Sequence, residues 1–137
     1  MPKSKNDKWG TPKDIYDKLN EEFSFNYDPC PITWKEGDVD GLAAEWGTST
    51  FCNPPYSATA KWIEKASNES KKGKLVVMLI NAVTDTKAFH KYIYNKTEVR
   101  FLQGRIKFVD YTDPEKPVVK APNVKASMVV VFRPTAA

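Results

Sequence analysis

The chain has 137 residues, 41% hydrophobic and 28% charged; this is the make-up of a soluble globular protein and the length of one domain, taken as residues 1–137. No apolar run approaches the ~20 residues of a membrane helix, and the polar, basic start from Met1 to Lys8 is not a signal peptide. The net charge of +4 permits an anionic partner without demanding one, and two cysteines, Cys30 and Cys52, are too few for a disulfide framework and lack zinc-site spacing, so both read as reduced, packed thiols.

In chain order, the first helix is expected after Thr11-Pro12, with Thr11 as cap, Pro12 at the first helical position, and Ile15, Tyr16, Leu19 and Phe23 at helical spacing. A strand from Phe23 to Asp28 and another from Ser49 to Cys52 follow. Ser57 is placed to cap a second helix running to Lys72, with Trp62, Ile63 and Ala66 as its apolar stripe and Gly73 closing it.

Lys74 to Ile80 contains a continuous apolar run, the mark of a strand covered on both faces. A third helix is expected from about Thr86 to Asn95. Glu98 to Asp110 then alternates as a strand, with Gln103-Gly104 able to bend it, and Ala126 to Phe132 is the last strand. Tyr111 to Lys125, with Asp113-Pro114, Lys116-Pro117 and Ala121-Pro122, reads as a long loop joining antiparallel strands. Helices alternating with strands predict an α/β fold with a mostly parallel sheet, an antiparallel C-terminal strand and helices on both faces.

The segment Phe51-Cys52-Asn53-Pro54-Pro55-Tyr56-Ser57 carries the chemistry. Two prolines stop the strand and stiffen the loop at the sheet edge where α/β proteins bind ligands. Asn53 supplies a side-chain acceptor, and the Asn53 and Pro54 carbonyls supply more. Acceptors on both hydrogens of a planar amino group localise its lone pair on nitrogen, while Tyr56 can stack on the ring. The tetrapeptide alone does not distinguish adenine from cytosine or a protein glutamine amide, nor DNA from RNA.

The ordered set Trp9-Gly10-Thr11-Pro12, Phe25-Asn26-Tyr27-Asp28-Pro29-Cys30, Phe51 to Ser57, Thr84-Asp85-Thr86 and Gly104-Arg105-Ile106-Lys107-Phe108 resembles the phage-type DNA N-6-adenine methyltransferases. The resemblance implies a Rossmann-like methyltransferase sheet, S-adenosylmethionine as methyl donor, no metal, DNA as partner with a flipped adenine as acceptor, and the cytoplasm of a host cell as location. It implies catalytic roles for Asn53, Pro54, Pro55 and Tyr56. Cofactor contacts would come from Trp9, Thr11, Pro12, Asp28, Pro29, Cys30 and Asp40. Ser57, Arg105 and Lys107 would meet DNA, the last two from one face of a strand. One departure stands out: Pro31-Ile32-Thr33-Trp34 replaces the glycine-rich turn usual after the first strand. A nucleic-acid-binding module or inhibitor that keeps the methyltransferase shape and has lost cofactor binding is the alternative that departure raises. So small a chain can also form a homodimer to cover a duplex site.

Overall fold

The computed structural model describes residues 9–31, 36–111, 113, 115–120 and 125–135, excluding the side chains of Trp9 and Tyr56. Its strands are β1 (Trp9–Gly10), β2 (Ser49–Cys52), β3 (Leu75–Asn81), β4 (Glu98–Phe101), β5 (Val109–Asp110), β6 (Val118–Val119) and β7 (Ser127–Phe132). The described residues also form two α-helices, α1 (Lys13–Phe23) and α2 (Thr59–Ser70), and, between β3 and β4, a π-helical turn at Phe89–Ile93. No described helix is long and apolar enough to cross a membrane.

β2, β3, β7 and β4 form the main sheet in that order, and β1, β5 and β6 form a small antiparallel one. β2 runs parallel to β3, whereas β7 runs antiparallel to both β3 and β4. The sheet is therefore mixed, not mostly parallel as expected. The α/β class and the antiparallel last strand hold. The reason for the difference lies at residues 23–28: Phe23 ends α1, and Ser24 turns the chain with a φ of 51°. Only Tyr27 then meets Thr50, in a single parallel bridge, so the strand expected from Phe23 to Asp28 does not form.

β3 explains why helices cover both faces. Val76, Met78 and Ile80 point into a core with Trp62, Ile63 and Ala66 of α2 and with Phe89 and Ile93 of the π-helical turn. Val77 and Leu79 point the other way, against Leu19 and Phe23 of α1. β7 divides in the same manner, and all six of its residues are buried. Each such apolar side chain contributes roughly 1.5–3 kcal/mol on burial, so the two central strands dominate the fold's stability.

Both predicted caps are corrected. Pro12 occupies the position before α1 and its carbonyl accepts the Tyr16 N–H at 3.1 Å, which leaves the Thr11 hydroxyl free of that duty. At α2 the cap position is Ala58; Tyr56–Ala58 is a 3₁₀ turn fastened to the Pro55 carbonyl. In the third predicted helix the Thr86 hydroxyl accepts the Phe89 N–H at 3.1 Å, as a cap does.

The strand expected from Glu98 to Asp110 breaks in two. Gly104 has a φ of 79°, and the turn it makes carries the chain out of the main sheet to the small one. The predicted loop from Tyr111 to Lys125 contains β6, paired with β5. Its residues Thr112, Pro114 and 121–124 lie outside the described residues.

Candidate functional site

β2 delivers Asn53 to the carboxyl end of the parallel strand pair, and the two prolines then keep the chain from continuing the ladder. The loop is held from several sides. The Asn53 Nδ2 donates to the Thr11 hydroxyl at 3.2 Å. The Cys30 thiol lies 3.4 Å from the Asn53 carbonyl, in donor geometry, and 3.5 Å from the Cys52 sulfur. The Pro55 carbonyl accepts from the Ala58 N–H at 3.3 Å and the Thr59 hydroxyl at 3.5 Å.

These bonds sort the loop's acceptors. The carbonyls of Asn53 and Pro55 are engaged, whereas the Asn53 Oδ1 and the Pro54 carbonyl receive no hydrogen bond from the described residues. Two open acceptors on a stiff loop can take the two hydrogens of one amino group. Pro54 is buried and Asn53 and Pro55 are half-buried, so the loop is partly shielded from water.

The turn expected to contact the cofactor lies alongside. The Asp28 Oδ1 accepts the Cys30 N–H at 3.0 Å, an Asx turn that leaves Asp28 exposed while Pro29 and Cys30 are buried. Asp40 makes the same kind of turn, its Oδ1 accepting the Leu42 N–H at 2.9 Å. Gly41 joins the two turns: a Cβ there would come within 2.1 Å of the Pro29 carbonyl oxygen and 2.8 Å of the Trp62 ring. Only a glycine permits that approach. The two exposed carboxylates, Asp28 and Asp40, therefore belong to neighbouring turns.

Tyr16 closes this side, its ring edge-on to Phe51 at 5.2 Å. Burial pushes its phenol up, and the charges of Asp28 and Asp17 push it further. It is thus a neutral hydroxyl at neutral pH.

The other expected site residues are less convergent. Trp9 pairs through its backbone with Asp110 in the small sheet, and the stacking expected of Tyr56 concerns a side chain outside the described residues. Ser57 is exposed in the 3₁₀ turn. Arg105 and Lys107 are exposed and Ile106 and Phe108 buried, so the predicted alternation holds. They are not on a strand, however, because Gly104 has already turned that segment away from β7. Ile32 to Trp34, within the segment that replaces the glycine-rich turn, lie outside the described residues.

Sequence reading missed two contributors. Gly41 was one, although its place directly after Asp40 hinted at a tight approach. The second is Tyr111, whose ring packs so closely on Gly10 that a Cβ there would lie 2.7 Å from it. Behind the Pro55–Thr59 turn, a cavity of about 450 Å³ opens between α2, the end of β3 and the π-helical turn, with Thr59, Asn81 and Lys87 in its wall.

The family model for DNA N-6-adenine-methyltransferase (Dam) matches residues 1–137. A DNA N-6-adenine-methyltransferase of Haemophilus phage HP1 (strain HP1c1) is 30% identical over 146 aligned positions, which cover 98% of this chain and 83% of the relative. No solved structure matches. The chain belongs to the DNA N-6-adenine-methyltransferase family.

Proposed function

We propose that the protein transfers a methyl group from S-adenosylmethionine to the exocyclic amino nitrogen of an adenine flipped out of DNA, with Asn53 to Tyr56 as the catalytic loop. The observation that carries this reading is the pair of acceptors that receive no hydrogen bond from the described residues, the Asn53 Oδ1 and the Pro54 carbonyl, beside carbonyls that are already engaged. Each accepts one hydrogen of the adenine amino group, and together they leave the nitrogen lone pair free to react. They also bind the positive charge that grows on nitrogen in the transition state. Pro55 stiffens the loop and Tyr56 stacks on the base.

The residues of the neighbouring turns suit the cofactor. Asp28 and Asp40 offer exposed carboxylates to its ribose hydroxyls and ammonium, and Gly41 leaves Pro29 and Cys30 close by without an intervening side chain. Trp9 and Pro12, from the segment that carries Thr11, complete the cofactor contacts in this reading. The Cys30 thiol faces inward, so Cys30 contributes through its backbone. When bound, S-adenosylmethionine would supply an electrophilic sulfonium methyl: its transfer would break the methyl–sulfur bond, leave the neutral thioether S-adenosylhomocysteine, and release one proton of the methylated nitrogen to solvent.

Arg105, Lys107 and Ser57 meet the DNA backbone, contacts that position rather than specify. The short parallel pair with its open carboxyl end fits a reduced Rossmann-like methyltransferase sheet, acting in the cytoplasm and able to dimerise on a duplex.

A labelled-methyl transfer assay on DNA, followed by mass spectrometry of the nucleosides, tests the reading. N6-methyladenine is expected from the wild-type protein, and label on cytosine, or on no nucleoside, would overturn it.

A further inference from the structure

Building on that reading of Asn53, we infer that Thr11 is a positioning residue for the reaction: its hydroxyl accepts the Asn53 Nδ2 and so turns the Oδ1 toward the target amino group. The argument begins with the carboxamide itself. Its donor and acceptor ends sit on one carbon, and rotation by half a turn exchanges them. With the acceptor end outward, Asn53 can take an amino hydrogen. With the donor end outward, two donors would face each other across the reacting pair.

The 3.2 Å bond to Thr11 provides a partner for the donor end when the acceptor end is in use. It also gives the Thr11 hydroxyl a role, since that hydroxyl does not cap α1; the first helical bond goes to the Pro12 carbonyl instead. The contact is bracketed on both sides. Upstream of Thr11, β1 pairs Gly10 with Val109, and Tyr111 packs on Gly10. Downstream, Tyr16 of α1 rests edge-on against Phe51, two residues before Asn53. Thr11 is therefore set against the catalytic loop by the fold on either side of it.

A neutral hydrogen bond of this kind contributes about 1 kcal/mol net, which corresponds to roughly a fivefold to tenfold change in rate. Thr11→Val keeps the shape and removes the acceptor, whereas Thr11→Ser keeps the hydroxyl. The expected result for Thr11→Val is a kcat lower by about fivefold to tenfold, with the Kd for S-adenosylmethionine, measured by calorimetry, unchanged within about twofold; Thr11→Ser should restore kcat. In protein labelled with 15N-asparagine, the Asn53 side-chain amide signals, identified by their loss in Asn53→Ala, should shift in Thr11→Val and not in Thr11→Ser.

An unchanged kcat in Thr11→Val would overturn the inference. So would a Thr11→Ser variant as impaired as Thr11→Val, or weakened cofactor binding in place of the lower kcat, which would make Thr11 a cofactor contact. A wild-type protein that transfers no methyl to adenine would overturn the reading of Asn53 and this inference with it. A methylating wild type with an indifferent Thr11 would overturn this inference alone.

Discussion

The two ends of the main sheet are held by different chemistry. At the amino end of β3, Glu69 is fully buried, its carboxylate 2.8 Å from Lys72, 3.0 Å from Lys74 and 3.7 Å from Lys65, and it also accepts the Trp46 N–H at 2.6 Å. At the carboxyl end, the Asn53 loop is held by neutral contacts of 3.2 to 3.5 Å, two of them from Thr11 and Cys30. The strong, charged fastening lies away from the candidate site. The weak, neutral one lies within it and, among the described residues, leaves the Asn53 Oδ1 and the Pro54 carbonyl without a donor. The Glu69 cluster and the Asn53 loop thereby sit at opposite ends of the strands, and Trp46, which donates its backbone N–H to Glu69 and its Nε1–H to the Gly41 carbonyl, links the first to the aspartate turns.

The largest effect is expected at the charged end. Glu69→Ala leaves the lysines and the Trp46 N–H without their shared acceptor and should destabilise the fold by about 3–5 kcal/mol, read by urea denaturation. Burial alone would push the Glu69 carboxyl up, but the bonds from Lys72, the Trp46 N–H and Lys74, with the charge of Lys65, hold it down at about 2. A carboxyl whose folded value lies below its unfolded value stabilises above the unfolded value. That stability is lost as the pH falls from about 4.5 toward 2. Acid unfolding in that window should be blunted in Glu69→Gln, and an identical profile for the variant would remove Glu69 from the account.

A smaller effect is expected where the two aspartate turns meet. Gly41→Ala drives a Cβ toward the Pro29 carbonyl, so the turns must separate, at about 1–3 kcal/mol for such crowding. Thermal denaturation would register the loss, and calorimetry with S-adenosylmethionine should show weaker binding if the neighbouring turns hold the cofactor. Smallest is the effect of Lys107→Ala: the salt dependence of DNA binding should fall by about one unit of slope, with little change in Tm. An unaltered slope would take Lys107 off the DNA.

The parts of the molecule legible in the sequence were those governed by local chemistry. β3 and β7 declared themselves through continuous apolar runs, and the Asn53 loop through its prolines. Arg105 and Lys107 were correctly placed outward of Ile106 and Phe108. What local patterning missed depended on partners distant in sequence. Phe25 and Tyr27 have strand-like composition, but the backbone pairs β2 only at Tyr27 once Ser24 has turned the chain. Thr11 satisfies every local criterion of a cap, and its bond is nonetheless to a residue 42 positions away. The approach of Gly41 to Pro29 likewise has no local signal beyond the glycine.

The central claim is that Asn53 presents an acceptor to the amino group of adenine. The most direct measurement compares wild-type protein and Asn53→Ala in the labelled-methyl assay on DNA, with circular dichroism to check the fold. The account predicts N6-methyladenine from the wild type and a loss of at least ~100-fold in kcat for the variant, in line with removing one transition-state hydrogen-bonding group, at unchanged secondary structure. A correctly folded Asn53→Ala that methylates adenine at the wild-type rate would contradict it.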